Sequence, residues 1–97
     1  MNNLNAVQYD VVQKAYDAFE KSVSRKDYSS ANIKQGYLDG LVDCKNGKKS
    51  NIVRLLQFAN WNLEGSIRDR QWGKAAYWKA FISGFEVMKV IIENSDE

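Results

Sequence analysis

The chain has 97 residues, of which 44% are hydrophobic and 27% charged, with a formal net charge of +2; that is enough chain for one hydrophobic core and too little for two. It has no histidine and a single cysteine, Cys44, which excludes thiolate–imidazole catalysis, zinc sites built on those ligands and an internal disulfide. No apolar stretch is long enough to span a bilayer, Met1-Asn2-Asn3-Leu4 lacks the basic and apolar regions of a signal peptide, and a lone thiol fits a reducing compartment, so a cytoplasmic location is expected.

Proline is absent, which leaves glycine and polar clusters as the only punctuation. Four helices are predicted. The first runs from about residue 5 to 24, with Val7, Val11, Ala15, Ala18, Phe19, Ser22 and Val23 at helical spacing. Asp27 to Ser30 reads as a turn, with Ser29 or Ser30 as N-cap. The second helix covers about 31 to 45 and turns Ile33, Tyr37, Leu38, Leu41 and Cys44 inward; Asn46-Gly47 is its C-terminal stop signal. Ser50 is placed to cap the third helix, which runs to about 70. The fourth runs from about 72 to 93 and is apolar over most of its circumference, with a polar strip at Lys79, Ser83, Glu86 and Glu93.

The second hairpin repeats the first. At an offset of 44 positions, Gln13 meets Gln57, Ala15 meets Ala59, Glu20 meets Glu64, Ser22 meets Ser66, Ala31 meets Ala75, Gly40 meets Gly84 and Lys45 meets Lys89. Like-for-like pairs lie between, among them Phe19/Leu63, Tyr37/Phe81, Leu41/Phe85 and Cys44/Met88. The expected fold is therefore all-α: one domain over 1–97, built as two tandem antiparallel helical hairpins by internal duplication. Their bounds are about 5–46 and 49–94. Each hairpin turn, Lys26-Asp27-Tyr28-Ser29-Ser30-Ala31 and Arg70-Gln71-Trp72-Gly73-Lys74-Ala75, places an alanine three residues after an aromatic. This is similar to the inter-helix turn of tetratricopeptide repeats, and the resemblance covers that turn alone; the period here is longer than that family's roughly 34 residues. The second and fourth helices carry paired small residues, Gly36/Gly40 and Ala80/Gly84. A glycine within a helix costs roughly 1 kcal/mol relative to alanine, so paired glycines at matching positions predict close backbone approach between these two helices.

A repeat separates scaffold from novelty. The outer face of helix one reads Asp10, Lys14, Asp17, Lys21, a ladder of alternating charge. The matching face of helix three reads Arg54, Phe58, Trp61, Gly65, Arg68. Aromatics between arginines are the residue types enriched at binding hot spots and able to stack on exposed bases. They equally suit a second core face. Residues 44–79 are basic and both ends acidic by comparison; Lys45, Lys48 and Lys49 flank the start of helix three, where an anion could sit. Asp39 and Asp43 lie four apart without a third ligand nearby, so no metal, cofactor or catalytic residue is assigned.

The expected function is that of a small non-enzymatic protein-binding module which occludes or bridges a larger partner, in the manner of an inhibitor, adaptor or immunity protein of a phage or bacterial mobile element. Its working residues are Arg54, Phe58, Trp61, Arg68 and Arg70, with Lys45, Lys48 and Lys49 as anion contacts. The alternatives are a nucleic-acid binder using the basic 45–79 region and a structural subunit that forms a homodimer through helix four. No membrane contact is expected.

Overall fold

Without proline to interrupt them, four long helices form: α1 (Asn3–Ser24), α2 (Tyr28–Asn46), α3 (Lys49–Arg68) and α4 (Trp72–Asn94). The computed structural model describes residues 3–94, except the side chains of 3–5 and 49–50. No strand occurs among the described residues, and no helix is long and apolar enough to cross a membrane.

The two hairpins turn by the same device. Lys26 and Arg70, one repeat apart, adopt left-handed backbone with φ of 59° and 57°. The next amide in each case reaches back to close the helix: Asp27 N–H donates to the Ser22 carbonyl at 2.9 Å, and Gln71 N–H to that of Ser66 at 2.8 Å. Lys26 N–H donates to Val23 at 3.0 Å and Arg70 N–H to Ile67 at 3.1 Å. Both are Schellman caps, which satisfy the last carbonyls of the helix. Because the turn closes this early, α2 begins at Tyr28 and its N-cap is Asp27, whose carboxylate accepts from Ser30 N–H at 3.2 Å. The serines expected to cap lie inside the helix. Similarly Lys48, not Ser50, is the N-cap of α3, and it supplies no side-chain acceptor. Gly47 ends α2 in extended backbone, φ −76° and ψ 144°, not in the left-handed form that a glycine stop usually takes.

The tertiary contact that matters most is α2 against α4. A Cβ on Gly40 would overlap the Phe81 carbonyl oxygen and lie 2.8 Å from the Phe85 nitrogen. One on Gly84 would overlap the Tyr37 carbonyl oxygen and lie 3.2 Å from the Leu41 nitrogen. Tyr37/Phe81 and Leu41/Phe85 are repeat partners, so the contact is reciprocal: each glycine receives the other helix's backbone. Gly36 meets the Tyr77 carbonyl one turn earlier, so the two helices run parallel. The Asn32 side-chain amide, which donates to the Gly73 carbonyl at 2.9 Å, ties their first turns together.

Around this crossing, Leu41, Cys44, Phe85 and Met88 are fully buried, each large apolar side chain contributing roughly 1.5–3 kcal/mol. Leu38, Phe81, Ala15 and Ala59 complete the core and join both hairpins. α1 flanks α2 and α3 flanks α4, giving the lateral order α1–α2–α4–α3. The molecule measures 45 × 32 × 15 Å, with a radius of gyration of 14.0 Å against about 12.5 Å for a compact domain of this length. The outer helices thus have one main neighbour each. Val7 and Val23, set at helical spacing on α1, and Ile67 on α3 are exposed for that reason, whereas Ile33 of α2, expected inside, is exposed where α2 borders an open groove beside α1 and α4.

Gly40→Ala should therefore destabilise by about 3 kcal/mol or more, since a methyl there meets backbone, not a yielding side chain. A Cβ on Gly73 would have no atom within 4 Å, and Gly73→Ala should be neutral or stabilising by up to about 1 kcal/mol. Urea denaturation of the two variants checks both; equal effects would contradict the contact described.

Candidate interaction surface

The diverged face of α3 is exposed. Trp61 is 70% accessible and Phe58 54%, so neither forms a second core face. Between α3 and α4 they border an open groove of about 530 Å³, lined also by Asn62 and Asp69 and, from α4, by Lys74 and Trp78. Phe58 meets Trp78 edge to face, with centroids 5.9 Å apart. That geometry adds about 0.5–1.5 kcal/mol beyond area burial, and it holds one side of the groove in place. Trp61 has no ring partner among the described residues and stands free over the groove.

Arg54 and Arg68 are exposed on the same side of α3, at either end of the aromatic pair. Arg70 sits in the left-handed turn position beyond the helix. None of the three lines the groove. Lys45 and Lys48 are exposed at the opposite end of α3, roughly 30 Å from Arg68 by helix length, so the lysine loop and the arginine end do not form one patch. The side chain of Lys49 lies outside the described residues. Trp78 and Lys74 belong to the site although sequence reading passed over them. The signal was the same one that marked Phe58: Trp78 and Lys74 take the repeat positions of Lys34 and Ser30.

Of the acidic pair on α2, Asp39 is engaged internally and Asp43 is exposed. Asp39 accepts a short hydrogen bond from the Tyr77 hydroxyl across the α2–α4 contact and another from Gln35 Nε2 at 2.8 Å. Burial, and then the charge of Asp39, raise the carboxyl of Asp43 above the ordinary range. No group of three metal-binding side chains occurs among the described residues. Burial pushes the Cys44 thiol up to about 11, and it packs into the core at the position matching Met88, so packing accounts for it. On α4, Phe81, Phe85 and Met88 face the core and are not available as an association surface. Among the residues that α4 leaves outside are Trp72, Lys79, Ser83, Glu86, Val87 and Val90.

No protein-family model, no curated protein and no solved structure matches this chain. The surface therefore stands on its geometry: two exposed aromatics beside a groove lined also by Trp78, Lys74 and Asp69, with Arg54 and Arg68 exposed beyond it on α3.

Burial and then the hydrogen bond to Asp39 raise the Tyr77 hydroxyl above its ordinary value of about 10. A raised folded-state pKa stabilises fully below the unfolded value, and that stabilisation is lost as pH rises past it. Cys44 acts in the same sense. Denaturant midpoints should therefore fall as pH is raised above about 9, and less steeply in Tyr77→Phe. At neutral pH that variant should itself lose about 1–3 kcal/mol, because Asp39 forfeits a donor. An alkaline profile unchanged by the substitution would contradict this.

Proposed function

We propose that the chain is a small, non-enzymatic protein-binding module that docks on a larger partner through α3 and the adjoining α4 groove, and acts by occluding or bridging it. The observation that carries this reading is Trp61, a large aromatic left mostly in water on a scaffold whose matching position is Asp17. Copy one meets its solvent with a ladder of charge: Lys14 pairs with Asp10 at 3.0 Å, and Gln13 donates to Asp17 at 3.0 Å. Copy two puts Phe58, Trp61 and Trp78 at the places of Lys14, Asp17 and Lys34. Solubility does not ask for that exchange, whereas tryptophan beside arginine is the composition of binding hot spots.

Arg54, Arg68, Arg70 and Lys74 form the polar rim in this reading, steering association more than adding affinity. Cytoplasmic residence belongs to the same proposal, since Cys44 is a lone, buried thiol.

Trp61→Asp, which restores the residue of copy one, should change stability by less than about 0.5 kcal/mol because the side chain is exposed. It should lower partner affinity by about 2 kcal/mol or more, as loss of a hot-spot tryptophan does. Phe58→Lys should cost about 1 kcal/mol of stability through the lost ring contact and weaken binding as well. The measurement is affinity capture by wild type and variants with mass-spectrometric readout, followed by titration of the captured protein. Capture of the same protein by Trp61→Asp, undiminished, would reject the surface. Captured material that is RNA, and whose affinity falls by orders of magnitude between about 50 and 200 mM salt, would move the function to nucleic-acid binding.

A further inference from the structure

The two hairpins differ in one more respect, away from the α3 surface and independent of the reading given to it. Between α1, α2 and α4 lies an open groove of about 760 Å³. Its walls are Val11, Ala15, Ala18, Ile33, Tyr37 and Ala80. The repeat-related groove, between α3, α4 and α2, is partly filled by the chain's own side chains, which leave open only its outer part beside Phe58, Asn62 and Trp78. There Phe58 replaces Lys14 and Trp78 replaces Lys34, and the two rings meet at 5.9 Å. Tyr77 replaces Ile33 and Asp39 replaces Ser83, and the tyrosine hydroxyl reaches the carboxylate across the helices. In the first hairpin, Lys14, Lys34, Ile33 and Ser83 stand at the same places and leave the groove unfilled, with Ile33 47% accessible.

The filled copy shows what fits such a groove: aromatic side chains carried on helices. The rim of the open copy shows what charge must accompany them. Lys14, Lys34 and Lys79 all border it. Lys14 meets only exposed Asp10, and Lys34 donates to Ser22 Oγ at 2.8 Å, a neutral partner. Lys79 makes no ion pair or hydrogen bond among the described residues. No carboxylate lines the groove.

We propose that this groove docks an amphipathic helix of a protein partner, with bulky apolar side chains on its inner face and carboxylates along its edges. Val11 to Ala18 spans two turns of α1, about 10 Å, which suits anchors at i, i+3 or i+4, and i+7 of a docked helix. Apolar walls supply the affinity, and the three ammonium groups select acidic over basic helices. A second copy of this chain is a poorer occupant by way of α3, because Arg54 and Arg68 flank that aromatic surface and would face the lysines.

The probe is a synthetic helical peptide with tryptophan and leucine on one face and glutamate on the other, compared with the same peptide carrying lysine for glutamate. The glutamate peptide should bind and the lysine peptide should not. Lys79→Glu, at an exposed position, should weaken binding about tenfold. Lys14→Phe combined with Lys34→Trp, which introduces the residues that partly fill the other groove, should lose binding by more than about a hundredfold while keeping helical circular dichroism and cooperative melting. Trp61→Asp should leave peptide binding intact, which separates this site from the α3 surface. Failure of the glutamate peptide to bind, equal binding of both peptides, or unchanged binding by the filled variant would each overturn the proposal. Self-association, or binding to phosphatidylglycerol vesicles, that disappears in the filled variant would also overturn it, and would assign the groove to a second copy or to a lipid surface.

Discussion

Everything in this molecule depends on how closely α2 and α4 approach. Gly40 and Gly84 let each helix set its backbone against the other's carbonyl and amide groups, with no side chain between. Two helices at that distance bury their neighbours deeply: Leu41, Cys44, Phe85 and Met88 have no exposed surface. The conformational cost of two glycines within helices is thus offset locally, by dispersion and burial at the very same positions.

The same contact dictates the shape. Because α2 and α4 occupy the centre and run parallel, each partner helix can pack only on the far flank of its own hairpin. α1 and α3 end up at the lateral edges, and the surface accessible to water is 6788 Å², about a fifth above the value expected for a compact protein of this mass. A thin arrangement of helices has too little interior for every apolar residue in the pattern. Isoleucines and valines at inward spacing on the outer helices therefore remain in contact with solvent, and the faces on which they lie become grooves. A fold held together by a narrow central seam leaves broad flanks open for contact with other molecules.

The flanks are where the two hairpins differ chemically. The hairpin turns and the glycine contact agree closely between the copies, whereas the outward positions have exchanged charge for aromatic rings. In the second hairpin, the rings narrow one groove and extend beyond it as an exposed tryptophan. In the first, lysines frame a groove that stays empty of the chain's own atoms. One scaffold thus presents two unlike surfaces, one aromatic and one apolar with a cationic rim. That arrangement suits a protein whose work is to hold other molecules together or apart, and the proposed roles use both surfaces without asking for catalysis.

The offset of 44 residues, the lack of proline and the helical spacing of apolar positions determined the four helices, their pairing into hairpins and the site of the glycine contact. Those features are local or periodic, so the linear chain carries them directly. Helix ends were less legible. Asp27 outcompeted the serines as N-cap because a left-handed Lys26 closed the preceding helix early, and backbone conformation at one residue leaves little trace in composition. Exposure was decided only by the tertiary structure. Phe58, Trp61 and Val23 have the same hydrophobic character as Phe81, Phe85 and Leu41, and helical spacing gives each a face but not a neighbour. Whether that face meets another helix depends on how many helices surround it, and here the parallel α2–α4 seam supplied neighbours to the central pair and withheld them from the flanks.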